Sequence, residues 1–230
     1  IACGYWDKSF KIFSTETGKL HQCVFGHWDV VTSLSYALDA IGNNSNDAIV
    51  VSGSRDATLL VWYWNGKQQR ISANGRPGDS ASARAILTGH ETAVLCAAVS
   101  SSLGLVVSGS QDGSFLLHSI MGDLLCTLVE PSSCSHPIAV TISNEGFILA
   151  NYADRKGVLA LFSINGKHYR SHALEEQVLV SCFSRDGNFF VTGGFSKTVT
   201  VWRTWDMQQL HTFAACDSSV RTLTLSDDCR

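Results

Sequence analysis

One eleven-residue frame recurs along this chain, and the recurrence restricts the fold more than any single residue does. It reads SGSRDATLLVW from Ser52 to Trp62, returns as SGSQDGSFLLH from Ser108 to His118, and again as TGGFSKTVTVW from Thr192 to Trp202. CGYWDKSFKIF, from Cys3 to Phe13, keeps the same pattern, and YADRKGVLALF, from Tyr152 to Phe162, is a degraded copy. A Gly-His pair precedes two of the copies, at Gly26-His27 and Gly89-His90. Each copy is a pair of branched, apolar runs around a short polar turn, which is the pattern of an antiparallel hairpin with a buried face.

A unit of roughly 40–45 residues with a Gly-His front and a Trp near its end matches the four-stranded blade of a β-propeller. Each unit resembles a WD40 repeat. The implied fold is all-β, a WD40 propeller of four-stranded antiparallel blades, with no long run of helical period to disturb it. The expected blades are a partial one at 1–25, then 26–87, 88–128, a degenerate one at 129–173, 174–213, and a partial one at 214–230. Blade 26–87 carries two insertions, at 39–47 and at 66–84; the second is rich in Gly, Ser, Ala and Arg, without aromatics. Both ends fall within a repeat, so the expectation is a fragment of a larger ring, commonly seven-bladed. The alternative is a five-bladed ring closed by the C-terminal strand. A fragment would expose strand edges and self-associate.

The repeated polar residues have a structural explanation. An indole only donates and a carboxylate only accepts, so His27, Ser52, Asp56 and Trp62 can form one chained network tying the hairpin to the loop before it. His90, Ser108 and Asp112 repeat it with His118 in place of the indole, and Trp202 keeps the indole alone. A Ser, His and Asp also make a hydrolase set, but repetition of the frame accounts for all of them without catalysis. The residue before each Asp-equivalent faces the entrance that carries the hairpin turns: Trp6, Arg55, Gln111, Arg155 and Phe195. Trp28 joins them from the Gly-His loop. Aromatics and arginines of this kind suit a protein-binding surface.

Other chemistries find little support. Net charge is −3 without a basic block, which gives no footprint for nucleic acid. No apolar run reaches the eighteen residues of a membrane-spanning helix. The eight cysteines are scattered without a Cys-x-x-Cys pair and lie mostly in strand-like runs, as reduced core thiols do. No metal, cofactor or small-molecule substrate is expected. Asn43-Asn44-Ser45 is a sequon by pattern, and Arg70-Ile71-Ser72 a possible basophilic phosphorylation pattern; neither carries weight.

GHWDVVT with SGSRDATLLVWYWNGK and AILTGH, ACGYWDKSFKIFSTETGKL upstream and VVSGSQDGSFLLHSIMGDLL downstream resemble the C-terminal WD40 region of BEACH-domain proteins of the neurobeachin type. The resemblance implies a non-catalytic interaction platform within a large cytoplasmic scaffold, peripheral to endomembranes, that acts in vesicle traffic. Membrane association would come from domains upstream of Ile1, so none of the family's functional motifs falls on residues of this chain. The alternative is a generic WD40 adaptor of a ubiquitin-ligase or chromatin assembly.

Overall fold

The structure, a computed structural model, describes residues 1–38, 46–71, 82–130, 137–153, 157–214 and 217–226. They form five antiparallel sheets in chain order. Sheet one holds β1 (Ala2–Gly4), β2 (Ser9–Phe13) and β3 (Leu20–Phe25). Sheet two holds β4 (Val31–Leu38), β5 (Ala48–Ser54), β6 (Leu59–Asn65), β7 (Arg70–Ile71) and β8 (Ala85–Leu87). Sheet three is β9 (Val94–Ser100), β10 (Leu105–Ser110), β11 (Phe115–Ser119) and β12 (Leu124–Leu128). Sheet four is β13 (Pro137–Ile142), β14 (Phe147–Tyr152), β15 (Val158–Ser163) and β16 (His168–Ala173). Sheet five is β17 (Val178–Phe183), β18 (Phe189–Gly194), β19 (Thr198–Arg203) and β20 (Gln208–Ala214). These are propeller blades, so the all-β WD40 fold class stands as expected, and among the described residues no strand pairing closes the five sheets into a ring.

Apolar side chains alternate along the strands, so the three inner sheets bury both faces against their neighbours, whereas sheets one and five each bury the face that meets the next sheet. Phe10 and Ile12 meet Leu60 and Trp62 between sheets one and two. Val51, Val61, Val94 and Val106 fill the gap between two and three. Phe115, Leu117, Ile148 and Phe162 do so between three and four, and Leu149, Leu161, Phe190 and Trp202 between four and five. The inner strands are also stitched by polar contacts: Thr32 Oγ1 donates to the Val94 carbonyl at 2.6 Å.

The repeated frame is the hairpin between the second and third strands of each sheet. Its turn places Lys8, Ala57, Gly113 and Lys197 at φ of 69°, 65°, 94° and 61°. All four occupy the same place in the frame. One left-handed residue there gives the turn the twist its strands need, and three non-glycine side chains accept the strain.

Three details differ from the expected division. The insertion in sheet two does not separate its third and fourth strands. Gly66 to Gln69 is an ordinary turn, Arg70–Ile71 already pairs with Trp64 and Asn65, and Ala85–Leu87 pairs with Leu59 to Val61. The edge strand thus consists of two described pieces, Arg70–Ile71 and Ala85–Leu87, on the same side of Leu59–Asn65. In sheet four the ladder sets Ala150 opposite Ala160, whereas in sheet two Ser52 is opposite Leu60. With Phe162 in the place of Trp62, that register puts Ala150, and not Tyr152, in the place of Ser52; Arg155 and Lys156 lie outside the described residues. Finally, 217–226 is not paired into a sheet. It runs beside sheet five instead, with Val220 N donating to the Gly194 carbonyl and its side chain buried.

Candidate interaction face and its supporting network

The network forms in full at sheet two, and donor and acceptor roles fix every proton in it. Trp62 Nε1 donates to Ser52 Oγ at 2.8 Å. Ser52 Oγ is 2.8 Å from His27 Nε2, and His27 Nδ1 is 3.1 Å from Asp56 Oδ2. The carboxylate can only accept, so Nδ1 carries the imidazole proton and Nε2 accepts from the Ser52 hydroxyl. A neutral His27 ring satisfies both contacts. Burial lowers its pKa against the opposing pull of Asp56. Burial works the other way on the Asp56 carboxyl, but hydrogen bonds from Thr58 and from Trp28 N outweigh it and hold its pKa below the ordinary value. The Trp28 amide bond measures 2.8 Å, and the Thr58 hydroxyl and amide bonds 2.6 and 3.0 Å.

The glycine ahead of His27 is set by the same packing. A Cβ on Gly26 would stand 2.7 Å from Cη2 of Trp62, closer than real contacts allow. In sheet three Gly89 is required for another reason as well, since its φ is +130°.

Sheet three does not copy the network. His90 Nε2 keeps its 2.8 Å contact with Ser108 Oγ, but Nδ1 meets Ser114 Oγ at 3.3 Å, and Asp112 reaches the assembly through Ser114 N. His118, fully buried in the indole's place, turns from Ser108 and donates from Nε2 to the Thr88 carbonyl at 2.9 Å. That leaves its Nδ1 buried without a partner. An imidazole is shorter than an indole, and its donor does not reach the hydroxyl. In sheet five Trp202 Nε1 donates to Thr192 Oγ1 at 2.8 Å; Leu174 occupies the His place and Ser196 the Asp place.

Burial pushes the His90 pKa down to about 4 from the ordinary 6.5, and it also lowers those of His27 and His118. A histidine whose folded pKa is depressed binds its proton more readily unfolded. Its stabilising contribution is complete above pH 6.5 and is lost as pH falls toward the folded value. Stability measured by urea unfolding should accordingly decline from pH 6.5 to pH 4, by up to about 3 kcal/mol for His90 alone. His90→Gln should flatten part of that slope; a stability flat over this window would contradict the assignment.

The network anchors the turns that carry the exposed residues. Arg55 N donates to the Val30 carbonyl, Gln111 N to that of Ala93, and Phe195 N to that of Gln177. The same bond in three sheets holds Arg55, Gln111 and Phe195 at equivalent places on one end of the assembly. Trp6 lies in the corresponding turn of sheet one, 76% exposed, and the Arg55 guanidinium sits 5.1 Å from its ring centroid. Trp28 is 83% exposed beside the Asp56 turn, and Phe195 is 50% exposed. Arg155 lies outside the described residues. Gln111 is exposed too.

Among the described residues no cluster of His, Cys, Asp or Glu could hold a metal ion. Cys96 is buried, and its thiol is pushed up to about 12 by that burial. Cys3 is exposed, whereas Cys23, Cys126 and Cys182 are half-buried and free. Cys134, Cys216 and Cys229 lie outside the described residues, as do Asn43 and Ser72.

Residues 1–229 match the family described as the neurobeachin beta propeller domain. The chain is 34% identical over 224 residues to a neurobeachin homologue of Caenorhabditis briggsae and 35% identical over 225 residues to one of Caenorhabditis elegans. Those alignments cover 97% of this chain and 8% and 9% of the respective relatives. A BEACH domain-containing protein B of Arabidopsis thaliana is 28% identical over 238 residues, covering 99% of this chain and 9% of that protein. The chain thus spans under a tenth of the length of these relatives.

Proposed function

Taking as premise that this chain belongs to the neurobeachin β-propeller family, we propose that it is a non-catalytic protein-interaction platform. In this reading it serves a BEACH-type scaffold in vesicle and membrane traffic, in the cytoplasm and peripheral to endomembranes. The observation that carries the platform reading is the exposed group of Trp6, Arg55 and Trp28, with Phe195 on the same end. Single exposed apolar residues are common on any surface, but here Arg55 lies over Trp6, and Trp28 is held by its amide bond to Asp56 of the same hairpin turn, which makes a pre-organised cluster. The membrane half of the reading has support only in the family's BEACH relatives.

The Ser-His-Asp set supports structure over hydrolysis. Ser52 is fully buried, its hydroxyl oxygen accepts a hydrogen bond from the Trp62 indole N–H, and no substrate carbonyl could approach it.

The platform reading is tested by comparing the full chain with its W6A/W28A/R55A variant as bait for cytosolic proteins. Proteins retained specifically by the wild-type chain should bind the triple variant about 100-fold more weakly, as removal of central aromatic and arginine anchors does. The melting temperature should be unchanged. An identical retained set from both forms would overturn it.

A further inference from the structure

Sheet five departs from sheets two and three on the face that meets sheet four, and a cavity lies there. At the place where sheets two and three bury Leu60 and Leu116, sheet five has Thr200. Ser196 replaces the Asp. The space is about 500 Å³, within the range of side-chain and small-ligand pockets. Thr192, Thr198, Thr200 and Thr212 line it, and Trp202 contributes its indole. The loop from Leu174 to Gln177, in which Glu175 and Glu176 are exposed, forms another wall, and His172, edge-on to the Trp202 ring at 5.2 Å, and Gln209 complete the polar lining. Neither carboxylate has an ion-pair partner among the described residues, and no Lys or Arg belongs to the lining. Phe195 stands at the rim, its amide bonded to the Gln177 carbonyl.

We propose that this cavity between sheets four and five receives an arginine side chain of a partner polypeptide. A guanidinium presents five donors in a plane, and the site offers acceptors for them: two carboxylates at the mouth and, within, a row of threonine hydroxyls whose oxygens each keep accepting capacity beside the bonds they already make. A lysine ammonium would leave most of the hydroxyl row unused. Phe195 would pack against the backbone or the residue next to the arginine, which joins the cavity to the exposed aromatic face. The inference deepens the platform reading and rests on it.

N-acetyl-arginine amide titrated calorimetrically into the full chain should bind saturably. N-acetyl-citrulline amide, the neutral isostere, should bind about tenfold more weakly, as expected when the charge that meets the carboxylates is removed. Thr200→Leu restores the side chain of sheets two and three; it should abolish arginine-amide binding while the melting temperature holds or rises. E175Q/E176Q should weaken arginine without affecting citrulline. Equal affinity for both amides, binding that survives Thr200→Leu, or no saturable heat from arginine would each overturn the inference. The W6A/W28A/R55A variant separates the two readings. It should keep arginine-amide binding while losing protein capture, so the failure of either reading is seen without the other.

Discussion

Trp62→Ala is expected to cost about 4–5 kcal/mol, enough to unfold much of a chain of ordinary stability. The indole is among the largest fully buried side chains. It packs edge-on against Phe10 of sheet one, with centroids 5.4 Å apart, and fills the space that Gly26 leaves empty. The substitution opens a cavity between two sheets and removes the donor that holds Ser52. Trp62→Phe should be milder, about 1–2 kcal/mol, because the volume is largely kept and mainly the hydrogen bond is lost. Urea titration followed by circular dichroism distinguishes the two. Equal losses would mean that the hydrogen bond, and not the packing, dominates.

Asp56→Ala should cost about 3 kcal/mol, since it strips a buried, hydrogen-bonded charge from its partners. His27 Nδ1, Trp28 N and the Thr58 amide and hydroxyl all lose their acceptor. Asp112→Ala, at the same place in sheet three, should cost only about 1 kcal/mol, because Asp112 bonds Ser114 without touching His90. A pair of losses within error of each other would show that the two sheets share one network after all. The comparison also reads out on the surface: Trp28 depends on Asp56 for its amide partner, so Asp56→Ala should free that loop.

Hairpins were readable from the residues alone wherever the frame is intact. Ser52 to Trp62, Ser108 to His118 and Thr192 to Trp202 pair as their alternation demands, and the roles of His27, Ser52, Asp56 and Trp62 follow from which groups donate and which accept. Geometry that residue types do not encode was hidden. The turn conformation at Ala57, Lys8 and Lys197 carries no Gly or Asn to announce it. Arg70–Ile71 is too short for any periodicity, so the strand it begins reads as loop. Counting from Tyr152 misplaces the frame in sheet four, because only the ladder shows that Ala150 holds the Ser52 place. His118 looked like a stand-in for the indole, but its reach decides its partner. The cavity beside Thr200 was invisible for another reason: a threonine in a strand is ordinary, and its meaning comes from the leucines in the equivalent places of two other sheets.

The broken edge strand of sheet two makes the molecule divisible at one point. Ile71 lies opposite Trp64 and Ala85 opposite Val61, so the two lips of the opening are about 10 Å apart along a strand that rises about 3.3 Å per residue. The ladder on both sides is complete without whatever joins the lips. Lengthening a connection of that kind costs only about 0.6 kcal/mol per doubling. Material of almost any length, including a whole folded module with neighbouring termini, could be spliced in there and carried on the outer wall, leaving the hairpin turns at the other end of the sheets untouched.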